Sequence, residues 1–378
     1  VTSLSDKAGT PARWDLFCRV IDNLGDAAVA WRLARQLARE HGVAVRLWID
    51  APQTLSRLVP AARVARTHEG VRIEHWLETA APLKSIGPAA VADVVIACFG
   101  CELPPSYRVA MRTRRPVWVN LEYLSAEDWV DSHHGLASPK SDGLTEWFFF
   151  PGFRPGTGGL LREADLIERR DAFRSDPWAR TAFLSKLGIT ARPTDRFASL
   201  FCYPDSAITE LAQALQADQA RGHWRLLLPQ GVAPELSLTP GIERIPFVSQ
   251  SDYDLLLWSC ELNWVRGEDS WVRALWSGRP LVWQAYRQAD GAHQAKLDAW
   301  LAHWSADAGL DEPSAQAQSA VHAAWNALAP DPAIVCSAIA GLLESLPALA
   351  SGASRWTQRH TSQADLATQL VGFVSGKL

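Results

Sequence analysis

Two carboxylates stand four residues apart in Arg19-Val20-Ile21-Asp22-Asn23-Leu24-Gly25-Asp26. The apolar run before them, WDLFCRV (14–20), predicts a buried strand, and residues 27–40 predict a helix with Val29, Leu33 and Leu37 on one face. A dinucleotide fingerprint would fill such a turn with glycines so that a pyrophosphate can approach the backbone. Only Gly25 is present, and two acids repel a phosphate. They suit a cationic or hydrogen-bond-donating acceptor, which one carboxylate holds while the other takes its proton. A structural reading stands beside this one. Asp is a favoured N-cap, and an acid suits a helix N-terminus. That reading accounts for Asp26 better than for Asp22.

A second strand-to-helix loop, Trp264-Val265-Arg266-Gly267-Glu268-Asp269-Ser270, has the opposite chemistry. Arg266 can neutralise phosphate charge, and the backbone N–H groups of Asp269 and Ser270 at a helix start can bind phosphate oxygens. The Ser270 hydroxyl offers another donor, and Glu268 can accept bonds from sugar hydroxyls. Other candidates follow neighbouring strands: Phe247 to stack on a base, Gln250 to read its edge, then Tyr253, Tyr203, Tyr286 and Arg287. The alternative is a capped helix with solvent-facing charges and packed aromatics.

The elements that must position these loops alternate strand and helix. Strands are expected at 43–49, 92–99 and 115–124, with a Gly- and Pro-rich loop at 133–160 closing the first domain. After a helical stretch at 162–188 the alternation resumes, with strands at 197–203, 224–229, 241–247, 260–267 and 279–286. Helices are expected at 208–217, 251–259 and 270–278, and the tail reads as one amphipathic helix. This is an α/β chain with two doubly wound domains. Ligands in such folds bind beyond the carboxyl ends of the strands, so a cleft between two such domains is the expected site.

Composition narrows the class. At 378 residues the chain exceeds one ordinary core. Hydrophobic residues make up 48% and charged residues 21%, which excludes a disordered chain. A net charge of −4 gives no support to general nucleic-acid binding. No apolar run reaches bilayer length, and the first residues lack a signal peptide's apolar stretch, so a cytoplasmic protein is expected. Residues 1–70 carry ten Lys or Arg against seven Asp or Glu; from charge alone this reads first as a solvated helix face, and beside that as a part, Arg32 and Arg35 included, that could steer an acidic partner. Cys98 and Cys101 form one CxxC without a second pair, and His133-His134 has no zinc context. Neither a Walker A nor a GxSxG sequence is present.

The stretches 19–50, 245–286 and 292–301 together resemble EarP, the family of protein-arginine rhamnosyltransferases of bacterial elongation factor P. The likeness runs from about Trp14 to the C-terminal helix. It implies a GT-B glycosyltransferase fold, two Rossmann-like domains facing a central cleft. Residues 1–180 would form the acceptor domain, completed by a C-terminal helix at 354–378, and residues 190–353 the nucleotide-sugar domain. The implied reaction is inverting transfer of L-rhamnose from dTDP-β-L-rhamnose to an arginine of elongation factor P, an acidic protein, which activates that factor to rescue ribosomes stalled at polyproline. No metal or other cofactor, no nucleic acid and no membrane is implied. The family's catalytic residues fall on Asp22, Asp26 and Glu268, with Asp26 as general base, and its acceptor contacts on Asp22, Asn23 and Asp26. Its donor site falls on Tyr203, Phe247, Gln250, Tyr253, Arg266, Glu268, Asp269, Ser270 and Tyr286. The turn departs from the family pattern at Leu24 and at Ala27-Ala28, which affects packing beside the acids. Two rivals remain at this stage: a GT-B enzyme for a small-molecule or lipid acceptor, and a non-catalytic nucleotide-sugar sensor.

Overall fold

The computed structural model describes residues 12–22, 24–76, 86–204, 206–218, 222–234, 241–287 and 291–378. The chain divides into two compact units, Val1–Ala164 with Gln363–Leu378, and Asp165–Ser362.

The first unit is built on an eight-stranded sheet of order β3-β4-β2-β1-β5-β6-β8-β7. Its strands are β1 (Arg13–Cys18), β2 (Ala44–Ile49), β3 (Thr67–His68), β4 (Val71–His75), β5 (Val94–Cys98), β6 (Val117–Leu121), β7 (Ala137–Pro139) and β8 (Thr145–Phe149). The six inner strands pair in parallel, and β3 and β7 close the edges antiparallel. The expected loop at 133–160 thus contains two strands: the Gly/Pro-flanked TEWFF run pairs with β6 and extends the sheet. Among the described residues, four helices join these strands: α1 (Gly25–Glu40), α2 (Pro52–Leu58), α3 (Pro105–Arg114) and α4 (Trp129–His133). Phe17, Trp48, Trp76 and Tyr107 pack with the apolar residues of β5 and α3 into one core, where each large ring removes much apolar surface from water.

The second unit carries a five-stranded parallel sheet of order β11-β10-β9-β12-β13. The strands are β9 (Asp195–Leu200), β10 (His223–Pro229), β11 (Ile242–Ile245), β12 (Leu262–Arg266) and β13 (Leu281–Gln284). Its helices are α5 (Leu166–Ser175), α6 (Ala179–Lys186), α7 (Ile208–Ala217), α8 (Gln250–Ser259), α9 (Asp269–Ser277), α10 (Ala292–Ala308), α11 (Glu312–Asn326), α12 (Pro332–Glu344) and α13 (Leu346–Thr361). Trp271 stacks on Trp283 at 3.8 Å with Trp300 edge-on to both, so these tryptophans are core rather than a binding box.

The unit boundaries differ from those expected. Residues 165–180 belong to the second unit because α5 and α6 pack on α8. The tail is two helices. α13 stays with the second unit, and Asp365 then caps a new helix, α14 (Leu366–Ser375), by accepting from Thr368 N–H at 3.1 Å. Only this last helix joins the first unit. Leu366 N–H donates to Leu160 O at 2.9 Å, and the Gln36 side chain of α1 donates to Asp365 at 3.0 Å. No single helix among the described residues is long and apolar enough to cross a membrane.

Candidate functional site

In a parallel sheet, a crevice opens where neighbouring strands run their connections to opposite sides. The strand orders put that point between β1 and β5 in the first unit and between β9 and β12 in the second. Asp22 and Asp26 follow β1, and Arg266 ends β12. Both chemistry-bearing loops therefore lie at switch points.

In the first unit the chain leaves β1 and turns tightly, with Gly25 N–H donating to Asp22 O at 2.7 Å. A Cβ on Gly25 would stand 2.8 Å from the Asp22 carboxylate, so the close approach requires glycine. Asp26 is not the N-cap. Leu24 occupies that position, and Asp26 lies in the first helical turn. Its Oδ2 reaches back to accept from Ile21 N–H at 2.7 Å and Asp22 N–H at 2.9 Å, while Oδ1 accepts from the Tyr123 hydroxyl at 3.2 Å. The carboxylate is 2% exposed. Burial raises its pKa above the ordinary carboxylate range; the two backbone bonds and Tyr123 pull against that, and Asp50 adds to it. Asp50 itself accepts from Val20 N–H at 2.9 Å, fixing the strand exit. Asp22 is only half-buried. One acid is thus locked in place and its partner stands nearer solvent. Asn23 lies outside the described residues.

Tyr123 was not singled out from the sequence. It sits two residues past β6 and stacks on Phe99, which follows β5, at 4.4 Å. Its place beyond a strand end was the available signal. Arg32 and Arg35 do not form a steering surface. Arg32 is fully buried and Arg35 partly so, with its side chain 13% exposed, and both donate to Glu163, at 3.3 and 2.6 Å. Their charge is used inside the unit. Burial also holds the thiols of Cys18 and Cys101 protonated, the latter pushed up to about 12.

In the second unit, the Arg266 guanidinium lies over Phe201 at 4.4 Å and over Tyr203 at 4.5 Å, held by two aromatic rings. No carboxylate pairs with it among the described residues. Gly267 is left-handed (φ +61°), which turns the chain from β12 into α9. The Ser270 hydroxyl donates to Arg266 O and accepts from Arg266 N–H at 3.2 Å. It therefore fastens the loop, rather than standing open as the extra donor expected for it. The Tyr253 hydroxyl is enclosed without a hydrogen-bond partner among the described residues, and burial raises the phenol's pKa. Asp269 and Ser270 are buried in the first turn of α9, and Glu268 holds the N-cap position without a side-chain cap bond. Gln284 positions Tyr203 by accepting its N–H at 2.8 Å, and Tyr286 meets Tyr203 edge-on at 5.9 Å. Gln250 opens α8, buried, and Phe247 lies half-buried just before it. Arg287 instead bonds to Ala327 O at 2.9 Å. Phe201 and Gln284 were missed because each reads as ordinary strand core.

Residues 14–375 match the profile of the elongation-factor P (EF-P) rhamnosyltransferase EarP. The chain belongs to the EarP family. It is similar to a protein-arginine rhamnosyltransferase of Pseudomonas aeruginosa, 45% identical over 96% of this chain and 98% of that one. A protein of the same name from Pseudomonas putida is 44% identical over 97% of this chain and all of that one, 100%. The fold also resembles a solved structure from work on EarP-mediated arginine glycosylation of translation elongation factor EF-P. The TM-score is 0.66 at 34% identity, covering 97% of this chain and 100% of that one. A plant glycosyltransferase, Arabidopsis thaliana UGT89C1 complexed with UDP, shares the fold with a TM-score of 0.55 at 12% identity, over 97% of this chain and 99% of that one. The EarP chain thus has the GT-B glycosyltransferase fold class expected from its sequence.

Proposed function

We propose that the chain transfers L-rhamnose from dTDP-β-L-rhamnose to an arginine side chain of elongation factor P, inverting the anomeric centre. The observation that carries this reading is the acid pair at the β1 switch point, with Asp26 locked by two backbone N–H groups and Asp22 beside it. An arginine stays protonated below a pKa of about 12, and its nitrogen lone pairs are delocalised. Two carboxylates grip the guanidinium fork, Asp22 orienting it while Asp26 accepts a proton from the attacking nitrogen. The nitrogen forms its bond to the anomeric carbon as the carbon–oxygen bond to dTDP breaks. The leaving diphosphate keeps that electron pair, and Arg266 with the N-terminus of α9 takes up its charge. Glu268 binds sugar hydroxyls, Phe247, Gln250 and Tyr253 hold the nucleotide base, and Tyr203 and Tyr286 flank the phosphate loop. The residues of this mechanism need no metal. The acceptor is a translation factor, so the reading places the protein in the bacterial cytoplasm.

The acceptor half is tested by changing the acceptor. Elongation factor P with its acceptor arginine replaced by lysine should receive no sugar, because an ammonium lacks the planar fork. Equal modification of the lysine form would defeat the reading.

Two substitutions separate the half-sites. Gly25→Ala pushes the Asp22 carboxylate aside. We expect kcat/KM for the acceptor to fall roughly 10–100-fold, the scale of a misplaced reactant, with dTDP binding unchanged. Arg266→Met should instead weaken dTDP binding in calorimetry by roughly 10–100-fold, the worth of a lost charge-assisted contact.

A further inference from the structure

A cavity of about 410 Å³ in the second unit is lined by Arg170, Asp171 and Arg174 of α5, by Gly278, and by Ser354, Thr357, Gln358 and Thr361 of α13. None of these residues belongs to the donor loop. The carbonyls ending α9 take one N–H from each arginine: Arg170 donates to Trp276 O at 2.8 Å, and Arg174 donates to Ser277 O. Such bonds suit a helix C-terminus, but they use few of the five N–H donors on each guanidinium. Arg170 also grips Asp171 through Nε and Nη2, both at 2.8 Å, so three of its donors are engaged and its charge is paired with a carboxylate that is 60% exposed. Arg174 has no carboxylate partner among the described residues, and its Nε is enclosed without a hydrogen bond. Arg279 stands close enough to act on it, also with an enclosed Nε that lacks a partner. Burial, then the charges of Arg279 and Arg170, push the Arg174 guanidinium down to about 9, with Asp171 pulling against them.

A half-buried cluster of three arginines with one carboxylate, and with donors left unused, is costly unless a further anion completes it. Gly278 leaves room there. A Cβ at that position would meet Thr357 Oγ1 at 3.2 Å and Arg170 Nη1 at 3.5 Å. We propose that this pocket binds a phosphate-class oxyanion, held by the guanidinium groups of Arg170 and Arg174 between α5 and α13. With Arg170 matched by Asp171, a tetrahedral dianion balances the charges of Arg174 and Arg279 and accepts from the remaining N–H groups of Arg170 and Arg174 at once, which suits phosphate better than a lone carboxylate. The bound anion ties together the first and last helices of the second unit.

The test is calorimetric titration of inorganic phosphate into the full chain saturated with thymidine diphosphate, which occupies the donor loop. The expected result is one further phosphate with a Kd on the order of 1 mM. Arg174→Gln should weaken it about tenfold or more, with thymidine diphosphate binding unchanged. Gln358→Glu, an exposed change on the rim of α13, should weaken it too by offering the arginines a carboxylate, without removing any buried contact. Phosphate that binds wild type and both variants equally, or fails to bind wild type at 10-fold above that concentration, overturns the proposal. A titration without nucleotide keeps this result distinct from any failure of the donor-site reading.

Discussion

Asp26→Asn is expected to lower turnover by about 10²–10⁴-fold, the usual effect of losing a general base, without unfolding the protein. The carboxamide has the shape of the carboxylate. Its oxygen can keep the Ile21 and Asp22 N–H bonds, and its amide can donate to the Tyr123 oxygen. The neutral side chain also escapes the burial that raises the Asp26 pKa. A carboxyl whose folded pKa is raised holds its proton more tightly when folded. Its contribution to stability is therefore complete below the ordinary carboxylate range and is lost as pH rises through the raised value. Asn removes that dependence, so the variant should melt near the wild-type temperature at neutral pH. The acid limb of the wild-type pH–rate profile should lie above the ordinary carboxylate pKa and disappear from the residual activity of the variant. Near-normal turnover in Asp26→Asn would leave Asp22 as the base.

Asp254→Asn should produce the largest loss of stability. Arg273 on α9 grips Asp254 on α8 through two bonds, Nε to Oδ1 at 2.8 Å and Nη2 to Oδ2 at 2.6 Å. Both side chains are buried, at 1% and 3% exposed. Removing one charge leaves the other enclosed, which costs about 3–5 kcal/mol. For a unit of this size that is a fall of roughly 6–20 °C in melting temperature. The pair also fixes the spacing of the two helices whose first turns carry Gln250, Tyr253, Asp269 and Ser270, so nucleotide affinity should fall with stability. Replacing both members, Asp254→Leu with Arg273→Met, should recover much of the loss, because no unpaired charge then remains. Thermal unfolding of the single and double variants separates that charge effect from simple loss of packing.

The two loops proposed to carry the chemistry were legible as strand-to-helix turns because strand-then-helix patterns place them at strand ends, where open α/β sheets bind ligands. Their surroundings were not. Tyr123 reaches Asp26 across a sheet whose neighbour order no local pattern states. The Ser270 hydroxyl looks like an open donor until its fold-back onto the Arg266 peptide is seen. Arg32 and Arg35 read as a solvated face because Glu163, which buries their charge, is more than a hundred residues away. The strand Thr145–Phe149 was hidden by the glycines and prolines around it. The break in the tail was marked in the sequence by Asp365 three residues before Thr368, an N-cap spacing that the continuous amphipathic pattern obscured.

The most direct test of the central claim is intact-mass measurement of elongation factor P after incubation with this protein and dTDP-β-L-rhamnose, without added metal. The expected result is a gain of one deoxyhexose on the factor, absent when Asp26→Asn replaces the wild type. An unmodified factor, under conditions where the wild-type protein still binds thymidine diphosphate, would contradict the assignment of the acceptor.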